Sequence, residues 1–129
     1  DHDKAIEYYR KCLDIELKTL GEEHPDVATS YHNIAAVQIG KKAYGEAIGC
    51  YRKALAIEIK TLGEEHLEVA ATHHLMAAVF AADGNTESAL ASLAQAKEIR
   101  TKKLGAQHPL TEKAQEDIEK LTPKEDDFD

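Results

Sequence analysis

The chain repeats itself every 42 residues, and that period limits the possible folds more tightly than any other property of the sequence. Tyr9-Arg10-Lys11 returns as Tyr51-Arg52-Lys53, and the run from Lys18 to His24 returns as Lys60 to His66. Between positions 8 and 38, 19 of the 31 residues recur 42 places later. A third copy keeps the register: Ala54, Ile57, Lys60, Leu62, Gly63 and His66 come back as Ala96, Ile99, Lys102, Leu104, Gly105 and His108. A unit of this length is one supersecondary element that cannot bury its apolar face alone, so successive copies must stack.

Within each copy the apolar residues fall at helical spacing, and the breaks between runs divide the unit into two helices. Pro25 suits a first helical position, and Asp26 places a carboxylate at the positive end of the helix dipole. Val27, Tyr31, Ile34 and Ala35 form the stripe, which Gly40-Lys41-Lys42 interrupts. Tyr44, Ala47, Ile48, Tyr51, Ala54 and Leu55 form the next one, ending at Leu62-Gly63, where glycine offers a left-handed cap. No segment alternates with the period of a strand. The reading is all-α, with six helices near 1–20, 25–39, 43–62, 67–81, 86–104 and 109–121. The first is the second helix of a repeat (1–20), full repeats follow at 25–62 and 67–104, a capping helix covers 109–121, and residues 122–129 form an acidic tail.

Two of these helices differ in a way that assigns them places in the stack. The helix at 67–81 is apolar nearly all round, with Val69, Ala70, Met76, Ala77, Val79 and Phe80, so neighbours should cover several sides. The helix at 109–121 carries a narrow stripe, Leu110, Ala114, Ile118 and Leu121, among charged residues, as expected of a solenoid's end. The opening helix is expected to lack its partner. Tyr8, Tyr9 and Leu13 stand where later copies use Cys50, Tyr51 and Leu55, and no earlier helix supplies the cover that Ile34, Ala35 and Val37 give. That stripe is expected to meet upstream repeats, another chain or a second copy, with self-association of the isolated piece as a consequence.

The spacing resembles the tetratricopeptide repeat. Ile34-Ala35, Tyr44, Ala47, Tyr51 and Ala54 stand where that repeat places its large-small pair, aromatic, small, aromatic and small residues. Met76-Ala77, Phe80, Gly84, Ala89 and Ala96 match the next copy. The 42-residue period and the Leu-Gly-x-x-His connector resemble the longer subclass typified by kinesin light chains and nephrocystin-3-like proteins. A looser likeness joins His73-His74-Leu75-Met76 and Leu104-Gly105 to clustered-mitochondria proteins. The resemblance implies a right-handed α-solenoid of antiparallel helix pairs that binds a protein or peptide partner in its concave groove, as a cytoplasmic scaffold or adaptor. The groove positions it implies are Thr29, His32, Ala36 and Ile39, then Ala71, His74, Ala78 and Ala81. Kinesin light chains usually carry asparagine where His32 and His74 stand, so their cargo specificity does not transfer. The lysine and asparagine that clamp chaperone tails in related repeats are missing from these positions. Groove alanines leave room for bulky apolar side chains on a partner. The alternative is an architectural segment of a large assembly, of mitochondrial-distribution or ciliary kind, bound through its convex surface or its ends.

Other functions find little support in the residues. Sixteen basic against twenty-four acidic side chains give a net charge of −8, which argues against nucleic acid or an anionic membrane as the main partner. No apolar run approaches the roughly 20 residues that span a bilayer. Cys12 and Cys50 write no disulfide framework and read as reduced thiols inside helices. No phosphate-cradling glycine loop, nucleophile elbow or paired-histidine zinc motif occurs, so no catalysis and no cofactor is expected. His24, His66 and His108 recur with the period and are expected to pack at helix starts. His32 and His74 face the groove one repeat apart, but zinc wants three or four ligands, and no cysteine or carboxylate is expected to complete the set.

Overall fold

The computed structural model describes residues 1–124, and among these it contains six helices and no strand. They are α1 (His2–Thr19), α2 (Pro25–Gly40), α3 (Tyr44–Leu62), α4 (Leu67–Ala82), α5 (Thr86–Leu104) and α6 (Pro109–Leu121). Each helix packs on its neighbours in chain order, giving a right-handed α-solenoid of antiparallel pairs. The last residues of the expected acidic tail, 125–129, lie outside the described residues.

The three connectors after α1, α3 and α5 are built alike. Gly21, Gly63 and Gly105 take φ of 91°, 98° and 93°, a region closed to residues with a side chain. Gly63 pairs its φ with ψ of 155°, so the chain leaves the helix extended rather than through the expected left-handed cap. Three residues later a histidine caps the next helix. Nδ1 of His24, His66 and His108 accepts the backbone N–H of Asp26, Glu68 and Leu110 at 3.1, 3.0 and 3.1 Å. Only an unprotonated Nδ1 has a lone pair to offer, so each cap uses the neutral ring with its proton on Nε2. The connector glutamates pair with the end of the following long helix. Glu23 meets Lys60, and Glu65 meets Lys102 at 3.0 Å.

The core runs along the stack as a chain of clusters. Leu13, Val27, Ala28, Ile34, Ala54 and Ile57 join α1, α2 and α3. Ala35, Ala47, Ile48, Tyr51, Met76 and Val79 carry it into α4, and Val69, Ala70, Ala96 and Ile99 carry it into α5. Full burial of Val27, Val69 and Leu93 contributes roughly 1.5–3 kcal/mol each. Ala47, Ala54, Ala89 and Ala96 are completely enclosed, and their small side chains let the paired helices approach closely. The last helix departs from its expected stripe. Leu110 is 46% exposed, and Thr111 is buried instead, because it occupies the register of Val27 and Val69. In α1, Leu13 is buried by α2, so the exposed apolar surface lies at Tyr8 and Ile15 rather than at Leu13.

Candidate functional site

The eight positions expected to line the groove lie on α2 and α4, four residues on each, at successive turns of one face. Thr29, Ala36, Ala71 and Ala78 are exposed, while His32, Ile39, His74 and Ala81 are partly buried. Thr29 turns its hydroxyl back to the Pro25 carbonyl at 3.3 Å. His74, Ala78 and Ala81 come together with Ala77, Leu93 and Leu121 around an apolar pocket of about 220 Å³ between α4 and α6. Asp117 and Lys120 stand at its rim. Thr29, His32, Ala36 and Ile39 lie one unit earlier and Ala71 one turn away, and none of them lines this pocket.

Sequence reasoning placed α6 only as a cap and missed its part in this wall. The signal was present: one further step of 42 residues takes Ala78 to Lys120 on α6, which lines the same pocket. A second omission lies beneath the groove. Glu16 Oε1 accepts from Ser30 Oγ at 2.5 Å, and one unit later Glu58 Oε1 accepts from Thr72 Oγ1 at 2.6 Å. Each pair ties the long helix of one unit to the first helix of the next. Glu58 is only 7% exposed, so its carboxylate needs these partners to remain inside.

The two groove histidines sit on this polar ladder and are not free. His32 Nε2 lies 3.4 Å from Glu58 Oε2 and 3.3 Å from Thr72 Oγ1, with the ring edge-on to Tyr51 at 5.3 Å between centroids. His74 meets the opposite charge, because Arg100 occupies the place of Glu16 and Glu58. Arg100 Nη1 donates to His74 Nδ1 at 2.6 Å, which puts the ring proton on Nε2, and Nε2 donates to Asp117 Oδ2 at 2.7 Å. Burial pushes the Asp117 carboxyl up, but hydrogen bonds from His74 and Lys113 outweigh it and hold the group below its ordinary value. One carboxylate therefore stands beside each histidine. Among the described residues, however, no group of three or more potential ligands is placed to hold a metal ion.

Both ring nitrogens of His74 are engaged by Arg100 and Asp117, which leaves the ring no nitrogen for a further hydrogen bond. On the other side of α4, His73 is half-buried, and burial pushes its imidazole down despite the opposing pull of Glu58. No helix among the described residues is long and apolar enough to cross a membrane.

The arrangement matches known proteins on two grounds. The tetratricopeptide repeat family matches residues 1–60 and 39–102. Among solved structures, the putative kinesin light chain of Podosopora anserina, with nearly identical TPR-like repeats, aligns at 29% identity and a TM-score of 0.79. That alignment covers 93% of this chain and 57% of the other, and a point variant of the same protein aligns equally well. BtubC (BKLC) from P. vanneervenii shares the fold at 23% identity and a TM-score of 0.86, over 98% of this chain and 51% of its own. The chain thus spans about half the length of the structures it resembles. Comparison with curated proteins returns no match. Period, connector, helix pairing and these matches agree: the chain belongs to the tetratricopeptide repeat family, and its repeats are similar to the kinesin-light-chain-like form.

Proposed function

We propose that the concave face formed by α2, α4 and α6 holds a peptide segment of a partner protein, with one bulky apolar side chain anchored between α4 and α6. The observation that carries this reading is the pocket of about 220 Å³ walled by alanines and leucines, with room for a branched or aromatic side chain. Thr29, His32, Ala36, Ile39 and Ala71 extend the same face and would follow the peptide past the anchor. Free Cys12 and Cys50 suit a reducing, cytoplasmic setting. No residue of the groove is assigned a catalytic role. Peptides selected on the chain from a random display library provide the test. His74→Glu should weaken them at least about tenfold by setting a charge beside the anchor, and Glu64→Ala in a connector should leave them unchanged. Equal effects at both sites would remove the groove as the docking surface.

A second reading has its own observation. Tyr8 is 64% and Ile15 62% exposed on α1, whereas the equivalents of Ile15 in later units, Ile57 and Ile99, are buried. Association through that stripe, with an architectural role, would appear as a concentration-dependent sedimentation coefficient that Tyr8→Glu abolishes.

A further inference from the structure

The convex side of the solenoid carries a second cleft with a different chemistry. Its walls are α1 and α3, and its floor is the side of α2 opposite the groove. Tyr31, Ile34 and Gln38 look into the cleft, while Thr29, His32 and Ala36 point the other way, half a turn around the helix. The cleft has a volume of about 340 Å³. Ile34 and the half-buried Cys50 make an apolar base. Arg10 stands on one wall and Lys53 on the other.

Two properties of those cations point to a ligand. The chain is acidic overall, at −8, yet this cleft brings two basic side chains to one place. Neither is neutralised by an acid: among the described residues Arg10 enters no ion pair, and Lys53 lies over the Tyr31 ring at 5.5 Å. The one carboxylate lining the cleft, Glu46, is held at the start of α3 by Gln38 Nε2 at 3.4 Å. At Cys50, in the middle, burial is the main influence on the thiol, and among the charges Arg10 and Lys53 outweigh Glu46.

The repeat supplies an internal comparison. One unit on, the same cleft between α3 and α5 is smaller, about 260 Å³. There Phe80 replaces Gln38, Ser92 replaces Cys50, and Gln95 replaces Lys53, which leaves Arg52 as the single cation. The same architecture therefore has a paired-cation form and a single-cation form within one molecule.

We propose that the α1–α3 cleft docks an acidic peptide segment carrying one apolar side chain, with its carboxylates between Arg10 and Lys53 and the apolar group over Ile34 and Cys50. This site is separate from the concave groove and does not depend on it. The probe is a fluorescein-labelled peptide, Ser-Glu-Glu-Leu-Glu-Glu-Ser, with a control in which every Glu is Gln. By fluorescence anisotropy the acidic probe should bind, and the control should not. Affinity should fall with added salt and drop about tenfold in Arg10→Glu and again in Lys53→Glu, because rim and cleft charges steer such contacts. Arg52→Glu, in the single-cation cleft, and Ala78→Glu, in the groove, should leave binding within about twofold. In a Cys12→Ala background the probe should also slow alkylation of Cys50. Arg10 is exposed, so Arg10→Glu should keep the helical circular dichroism of the parent. No binding at millimolar probe, an equal loss in Arg52→Glu or Ala78→Glu, or unprotected Cys50 would each overturn the proposal.

Discussion

His32 and His74 stand 42 residues apart in the same register, on the same face of equivalent helices, yet their surroundings carry opposite charge. Beneath His32 lies Glu58, a buried acid that also takes the Thr72 hydroxyl. Beneath His74 lies Arg100, which fixes the ring tautomer from one side while Asp117 fixes it from the other. At the first junction the ring shares Nε2 with a carboxylate and a hydroxyl. At the second both nitrogens are spent and α6 is drawn against α4, which closes the wall of the apolar pocket. The difference teaches that a repeat preserves its backbone while exchanging the buried polar residue between units, and that this exchange changes which polar atoms of the face above it stay free.

The most severe way to break the comparison is to transplant one junction into the other. Glu58→Arg would put an unpaired cation beside His32 in a nearly closed site. It is expected to cost about 3 kcal/mol, a fall in thermal midpoint on the order of 10 °C. The reverse change, Arg100→Glu, strips the donor from His74 Nδ1, loses the 3.4 Å contact with the Leu110 carbonyl and sets a carboxylate toward Asp117. About 2 kcal/mol is expected there. If both variants melt with the parent, the ladder is not holding the units together.

Proton uptake separates the two units more gently. His73 of the second unit replaces Tyr31 of the first, and burial holds its imidazole below the ordinary 6.5. The unfolded chain therefore binds this proton more readily than the folded one. Its contribution to stability is full above about pH 6.5 and is lost as pH falls through the lower, folded value. Urea midpoints measured from pH 8 to pH 5 should sag below 6.5 in the parent and sag less in that window in His73→Tyr. An identical sag in both would place the titrating group elsewhere.

The smallest contrast is in the backbone. Lys42, at the turn inside the first full unit, takes φ of 62°, and the second unit answers with Gly84 at 82°. A side chain in that region costs about 1 kcal/mol. Lys42→Gly should therefore gain about 0.5–1 kcal/mol, and Gly84→Ala should lose a similar amount, both read from denaturant midpoints.

The fold was legible because its determinants are local and repeated. Pro25 with Asp26, the Leu-Gly-x-x-His connector and the alanines at 47 and 89 each specify a helix start, a turn or a close contact within a few residues. What escaped was long-range or masked by residue type. Glu58 and Thr72 are separated by a whole connector, and a glutamate on an amphipathic helix reads as surface until the neighbouring unit is laid against it. Leu110 reads as core and Thr111 as surface, but the packing register with Val27 and Val69 reverses them, and it leaves the Thr111 hydroxyl buried without a partner among the described residues. The expected groove positions came from the family resemblance, carried over by register. Register did not reveal that His74 would have no free nitrogen, because its two partners come from different helices.

On the proposed reading the second junction, not the first, supplies the anchor for a bound peptide. Methyl-detected NMR of the chain labelled at alanine and leucine, titrated with a peptide selected on it, tests this directly. The largest shifts are expected at Ala77, Ala78, Ala81, Leu93 and Leu121, around the pocket between α4 and α6. Largest shifts at Leu13 and Ala91, which line the convex clefts, would contradict it.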